Sequence, residues 1–293
     1  MDARIAAMSA DVQMRVQQLS TAREWLTATE SLRAADPVLL NVPGSVAEAV
    51  DAGARYDSEI WLTVIAGDDV LGCAMCTAPW PAFVGPMPNE AAHAVGYWLL
   101  KNGGPLKGLT GPTATVAAVA AGMKCSWTVR MGETVRVLQE LVAPGWCEGS
   151  LRLAAPEDVP LLLRWFADFH REANLAVAPR EEQVVSAIHE ERLWVWDGGT
   201  PVAMGGHARI VTTPGGNVGR IGPIYTEPLH RRQGYGSALT HAIAMKLTSS
   251  CDTVMLFADA ENPASNSVYE RLGFEVVAEV VEADLVRSSD GIR

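Results

Sequence analysis

The stretch "RRQGYGSALT", Arg231–Thr240, decides how this chain is read. Two arginines, a glutamine and two glycines stand directly before a run of small residues that suits a helix. Gly234 and Gly236 lack the Cβ atoms that would hold a ligand off the backbone, so successive amides can point inward. The helix that follows adds its free amides and its positive end. Arg231 and Arg232 bring charge from outside. Such a turn reads as a diphosphate cradle. It is not a Walker A loop, because G-x-x-x-x-G-K-[ST] is absent. Nor is "GYGSAL" a dinucleotide fingerprint, since Leu239 stands where the third glycine belongs. A glycine-rich turn alone can be a plain helix cap, so the flanking sequence has to decide.

Outward from the turn the elements alternate. Upstream lies the strand "VGRIGPIYT", carrying a proline, and downstream a helix to about Leu247. Then come the strand "TVMLFA", a helix "ASNSVYERLG" stopped by Gly273, and a final strand pair in "FEVVAEVVEADLV". Farther upstream, Ala155-Pro156-Glu157-Asp158 opens a helix with acids against the positive dipole end. Leu162, Leu163, Phe166 and Phe169 recur along it at helical spacing. A second helix is expected over Arg180–Glu191. The hairpin "LWVWDGGTPVAMGGHARIV" turns at Asp197-Gly198-Gly199, and "TTPGGN" is another turn.

The 293 residues suit two domains of about 150 each. Pro and Gly in "ELVAPGWCEGSLRLAAPEDVP" (140–160) mark the seam, giving domains over 1–146 and 147–293; the second is complete by pattern and expected to fold alone. The first half repeats the rhythm less clearly. It has a long helix from about Val12 to Ala34, a helical segment near Val46 and the hairpin "IWLTVIAGDDVLGCAMCTA". A helix over Glu90–Lys101, a strand at "LKGLT", a helix "ATVAAVAAG" and a strand "TVRVLQELV" follow. Two αα-ββ-α-β-α-β passes suggest a duplication.

Composition excludes several classes. Net charge is −11, and both halves are acidic: 14 acidic against 10 basic residues in 1–146, and 20 against 13 in 147–293. That argues against nucleic acid as a partner and favours a cationic one. No apolar run reaches the roughly 18 residues of a membrane span. Asp2, Arg4 and Asp11 break any leader pattern at the N-terminus, so a cytoplasmic protein is expected. Five scattered cysteines, Cys73, Cys76, Cys125, Cys147 and Cys251, read as reduced thiols. "CAMC" lacks the second ligand pair of a zinc site, and on a strand Cys73 and Cys76 face opposite ways. No metal is expected.

The proline-bearing strand "RIGPIYTEP", then R-x-x-G-x-G opening a helix, then a strand and "NPASNSVYERLGF", resembles the acyl-CoA signature of the GNAT superfamily of N-acetyltransferases. The resemblance runs from Leu151 to about Val286. It implies an α+β (α/β) fold of two tandem GNAT-like domains, each a mixed, mostly antiparallel sheet flanked by helices, with acetyl-CoA as co-substrate. It implies that the backbone of Ile224, Tyr225 and Thr226 pairs with the pantetheine arm. Arg231, Arg232, Gln233, Gly234, Tyr235, Gly236 and Ser237 would hold the pyrophosphate. Asn262 and Asn266 would touch the pantetheine or acyl region, and Tyr269 would stand near the thioester sulfur. Packing against Leu272 and Phe274 is the alternative for that ring.

The chemistry implied is direct attack of an amine on a thioester. An alkyl ammonium has a pKa near 10 and must first lose a proton; Glu227 ranks ahead of Asp259 and His207 as its acceptor, with a chain of waters standing level with it. Strand amides near Tyr225 suit the developing oxyanion, and Tyr269 the departing thiolate. The stretch "KNGGPLKGLTGP" in the first half lacks both cofactor motifs, so that half reads as a degenerate repeat that shapes the acceptor pocket, with Trp61, Trp80 and Trp98 as candidate linings, or makes a homodimer contact. The acceptor expected is a small cationic amine, aminoglycoside- or polyamine-like. Acetylation of a protein N-terminus or lysine, or a non-catalytic acyl-CoA sensor, are the alternatives.

Overall fold

The computed structural model describes residues 14–175 and 178–286; Asp2, Arg4 and Asp11, on which the leader reading rests, lie outside them. The chain forms two compact units. One runs up to Gly132 and resumes at Glu279; the other spans Glu133–Ala278. The Pro/Gly seam near residue 146 therefore falls inside the second unit.

The first unit begins with β1 (Met14–Leu19), α1 (Ala22–Ala28), α2 (Glu30–Ala35) and α3 (Asn41–Asp51). It continues through β2 (Glu59–Ala66), β3 (Asp69–Thr77), β4 (Ala82–Val84), α4 (Asn89–Asn102), β5 (Leu109–Pro112) and α5 (Thr113–Gly122). Two long strands, β6 (Ser126–Leu138) and β13 (Phe274–Val286), divide between the units. The expected long helix up to Ala34 is instead a strand and two short helices. Met14–Leu19 pairs antiparallel with β2. Thr21 then caps α1 by accepting from the Glu24 amide, while the Ser20 amide donates to the Glu24 carboxylate; that reciprocal cap forces a helix start in mid-pattern. Likewise "FEVVAEVVEADLV" is one strand rather than a pair, since it holds no Gly, Pro or Asn to turn on and its one Asp, Asp284, lies near its end. Cys73 packs with Trp25, Trp61 and Met75, and Cys76 with Leu62, Val64 and Ala74. They face opposite sides of β3 as expected, and burial pushes both thiols up to about 12. Trp61 is core, tilted against Trp25 at 5.8 Å.

The second unit holds β7 (Ser150–Leu153), α6 (Val159–Glu172), α7 (Glu181–His189), β8 (Leu193–Asp197) and β9 (Pro201–His207). There follow β10 (Val211–Thr213), β11 (Gly216–Thr226), α8 (Tyr235–Leu247), β12 (Thr253–Asp259) and α9 (Pro263–Arg271). Its sheet runs β7-β8-β9-β11-β12-β6, with β10 beside β11. Among these pairs β11–β12 is parallel and the others antiparallel. Leu239, Ile243 and Ala244 of α8, with Leu272 and Phe274, cover one face. Leu162, Trp165 and Phe166 of α6 and Val184 of α7 cover Val195, Met204 and Tyr225 on the other.

A buried carboxylate ties α6 to the sheet. Asp158 accepts from Arg152 Nη1 and Nη2 at 2.7 and 2.9 Å and from the Ala155 amide at 2.8 Å. The Arg152 hydrogen bonds hold the Asp158 carboxyl below its usual range. A depressed folded-state pKa stabilises the fold above the unfolded value near 4, and that gain fades as pH falls through the folded value. Asp158→Asn should therefore cost about 2 kcal/mol at pH 7, with the gap to wild type closing below about pH 4; denaturant titrations at several pH values check this.

Candidate active site

Beside α8 the two parallel strands part. β11 pairs with β12 through four positions, Val218↔Thr253 to Ile221↔Leu256. On its other side β11 continues to pair with β9 as far as Thr226↔Ala203, after a bulge between Ile221 and Ile224 that contains Gly222 and Pro223. β12 runs on to Asp259 paired only with β6 on its far side. The bulge turns the end of β11 away, so the edge of Ile224–Thr226 that faces β12 opens as a slot.

The glycine-rich turn stands at the open end of that slot. After a 3-10 turn at Pro228–His230, Arg232 (φ 64°) and Gly234 (φ 91°) take left-handed backbone and aim the chain into α8. Gly234 is the N-cap and supplies no side-chain acceptor, so the first-turn amides at Tyr235, Gly236 and Ser237 have no partner within the helix. A Cβ at Gly236 would meet only Thr226 Oγ1, at 3.5 Å. The space above the turn is open, as an anion requires. Arg231 behaves otherwise than its sequence position suggests. Its Nε donates to Thr226 O at 2.9 Å, its Nη2 to Glu172 at 2.7 Å, and the guanidinium lies 5.5 Å from the Tyr225 ring centroid. It fastens the turn to the end of β11. Arg232 is exposed, and Gln233 donates to Leu229 O at 3.5 Å.

Beyond β12, Asn262 caps α9 by accepting from the Ser265 amide at 3.1 Å. Asn266 donates to Asp259 O at 2.9 Å, while its Oδ1 is buried with no hydrogen-bond partner among the described residues. Tyr269 is half-buried, edge-on to Phe274 at 6.3 Å. Burial pushes its phenol up to about 12, with the Arg136 guanidinium pulling the other way. Arg136 reaches this place from β6, opposite Leu256, and donates to Phe274 O at 3.4 Å and Thr134 Oγ1 at 3.2 Å.

Residues 207–282 match the model of the FR47-like protein family. No curated protein matches the chain. Among solved structures, an acetyltransferase of the GNAT family from Colwellia psychrerythraea is similar over 93% of this chain and all of its own (100%), at 12% identity and TM-score 0.59. A GCN5-related N-acetyltransferase from Sphaerobacter thermophilus is similar at 18% identity, covering 95% of this chain and 98% of that one, TM-score 0.58. A tandem GNAT protein from the clavulanic acid biosynthesis pathway is similar at 14% identity, 95% and 100% coverage and TM-score 0.58. The chain has the tandem GNAT fold.

Both GNAT units carry the same central order, and the difference between them is local. In the first unit β4 and β5 take the places of β11 and β12, pairing in parallel at Ala82↔Leu109 and Phe83↔Thr110. Gly111 (φ 152°) comes so near β4 that a Cβ there would lie 2.1 Å from Val84 O. The strands stay together where β11 and β12 part. The segment corresponding to the anion turn is Gly85-Pro86-Met87-Pro88, before α4; "KNGGPLKGLTGP", read from sequence as the counterpart, lies between α4 and β5 instead. Pro86 and Pro88 have no N–H, and the Gly85 amide donates to Cys73 O at 2.9 Å.

Sequence reasoning missed a charged stripe on α6 of the GNAT domain in the second unit. Arg164, Asp168 and Glu172 recur every four residues and so share one face. Arg164 lies 3.5 Å from Glu227, whose other oxygen is 3.7 Å from His230 Nε2, and Glu172 holds Arg231. Burial, then Glu172 and Asp168, raise the Tyr225 hydroxyl. The spacing was legible; the partners, 59 to 63 positions away, were not. The other candidate bases also have partners. Asp259 Oδ1 accepts from the Glu261 amide at 2.9 Å. His207 stacks on Trp194 at 5.2 Å, with Nδ1 2.6 Å from Ala208 O. Among the described residues no His/Cys/Asp/Glu group could hold a metal, and none of the described helices is long and apolar enough to cross a membrane.

Proposed function

We propose that the second unit is an acetyl-CoA-dependent N-acetyltransferase acting by direct attack of a primary amine in a ternary complex. The carrying observation is the slot between β11 and β12 with a glycine-started helix at its open end. The slot suits the extended pantetheine arm, which would pair with the backbone of Ile224, Tyr225 and Thr226 as an added strand. The amides of Gly234–Ser237, with Arg232 and Gln233 at the rim, suit the diphosphate. Asn266 Oδ1, a buried acceptor with no partner among the described residues, suits an amide N–H of the arm. In the first unit β4 and β5 stay paired and two prolines stand in the turn before α4, and we assign it no acyl-CoA site.

The acceptor we favour is small and cationic, polyamine- or aminoglycoside-like, because the chain is strongly acidic. Glu227, beside the open strand end, takes its proton directly or through water. Tyr269 acts as a hydrogen-bond donor to the leaving sulfur rather than as its full proton source. Burial, which raises the phenol to about 12, keeps it protonated at neutral pH and so able to donate. The free cysteines agree with a cytoplasmic setting.

Calorimetry with acetyl-CoA should give one site per chain, and thiol release followed with DTNB should appear with a member of an amine panel. Two equal sites would sink the assignment of the first unit. Binding without thiol release for polyamines, aminoglycosides and peptides alike would favour a sensor. Tyr269→Phe should lower kcat about 10- to 1000-fold with acetyl-CoA affinity nearly intact; unchanged turnover would reduce the ring to packing against Phe274.

A further inference from the structure

We infer that Trp146 is the adenine-binding residue of the acyl-CoA site, its indole stacking on the base at the nucleotide end. The inference rests on the acyl-CoA reading above. Among the described residues the two most exposed large apolar side chains are Trp146 at 90% and Leu229 at 86%; the next, Met245, is at 56%. Both outliers stand at the anion turn. Leu229 lies within it, in the Pro228–His230 segment. Trp146 immediately precedes Cys147, whose Cβ would be 3.4 Å from a Cβ placed on Gly234.

The backbone that carries Trp146 is held on both sides. Before it, the Val142 amide donates to Leu272 O at 3.1 Å. After it, Glu148 O accepts from Trp196 Nε1 at 2.9 Å, and Gly149 (φ 98°) sits so close to β8 that a Cβ would lie 2.3 Å from Asp197 O. A large flat side chain is thus kept in solvent by a fastened segment, next to the turn that would hold a diphosphate. In coenzyme A one ribose separates that diphosphate from adenine, so the base emerges beside this ring. Indole offers a purine a broad π-face, and such stacking needs no hydrogen-bond readout.

The test is calorimetry on the full chain and on Trp146→Ala and Trp146→Phe, titrated with coenzyme A and with 4′-phosphopantetheine, which lacks the adenosine 3′,5′-bisphosphate part and keeps one phosphate of the diphosphate. Trp146→Ala should weaken coenzyme A about 5- to 100-fold and leave 4′-phosphopantetheine unchanged. Trp146→Phe, which keeps an aromatic face, should recover most of the loss. Coenzyme A affinity unaltered in Trp146→Ala overturns the inference while leaving the acyl-CoA reading intact. Equal weakening of both ligands also overturns it, by making Trp146 a support of the turn. Failure of the unaltered chain to bind coenzyme A overturns the acyl-CoA reading and this inference together.

Discussion

Gly236→Val should abolish measurable acetyl-CoA binding, a loss of at least about 100-fold, in a protein that melts within a few degrees of the unaltered one. Its backbone is not left-handed, and an added Cβ would touch only Thr226 Oγ1 at the ordinary distance of 3.5 Å. Valine is also a better helix former than glycine. The fold therefore has room for the side chain, and the ligand does not, because the branches would occupy the space between the α8 amides and the end of β11. Gly234 is the poorer test. Its φ of 91° costs any L-residue about 1–2 kcal/mol, mixing a folding effect with a binding one. Calorimetry paired with a thermal melt separates the two. Normal acetyl-CoA affinity in Gly236→Val would remove the diphosphate from this turn.

Residues 147–293 expressed alone should neither melt cooperatively nor bind acetyl-CoA, whereas residues 133–278 should do both. This reverses the expectation drawn from the sequence pattern. β12 is paired at every position from Met255↔Val137 to Asp259↔Glu133 with β6, and Gln139 and Val142 donate to Gly273 O and Leu272 O. Val135 is fully buried, and Leu138 and Leu141 pack against the α8–α9 core. Full burial of an aliphatic contributes about 1.5–3 kcal/mol, so losing Val135, the partly buried Leu138 and Leu141 and the β6–β12 ladder together removes a large share of the roughly 5–15 kcal/mol by which a typical domain is stable. It would also bare the edge of the strand whose end anchors Asn262 and Asn266. Conversely, Val280–Ala283 pair with β5 in the first unit, so ending at residue 278 forfeits only pairs to that unit and none of those between β6 and β12. Circular dichroism and calorimetry on both fragments check this. A 147–293 fragment with full affinity would show β6 to be dispensable to the site.

Much of the candidate site was legible because its signals are local. A proline in a strand, two glycines before a helix and a glycine that stops one each act within one turn of chain. They placed β11, the anion turn, α8 and α9 near the bounds found. Arg231 was legible as a cation but not as a clamp, since Glu172 and the Tyr225 ring reach it only through the packing of α6. The N-terminal segment misled because Met14–Leu19 and α1 both carry apolar residues at intervals that a single helix also satisfies. Only pairing with β2 separates them.

By itself the sequence determined the order of most elements from Leu151 to Arg271, the doubling of the fold, the opposed Cys73 and Cys76, and the amide-rich turn at Gly234–Ser237, all consequences of short-range sterics and periodicity. Tertiary structure alone decided that β11 and β12 part while β4 and β5 stay joined, because that depends on which strands the bulge and Gly111 bring together. It also decided that Arg136 and Glu133 serve the second unit from the first half of the chain. A strand's partner is set by hydrogen bonds and apolar faces more than a hundred residues away, and no local pattern carries that information.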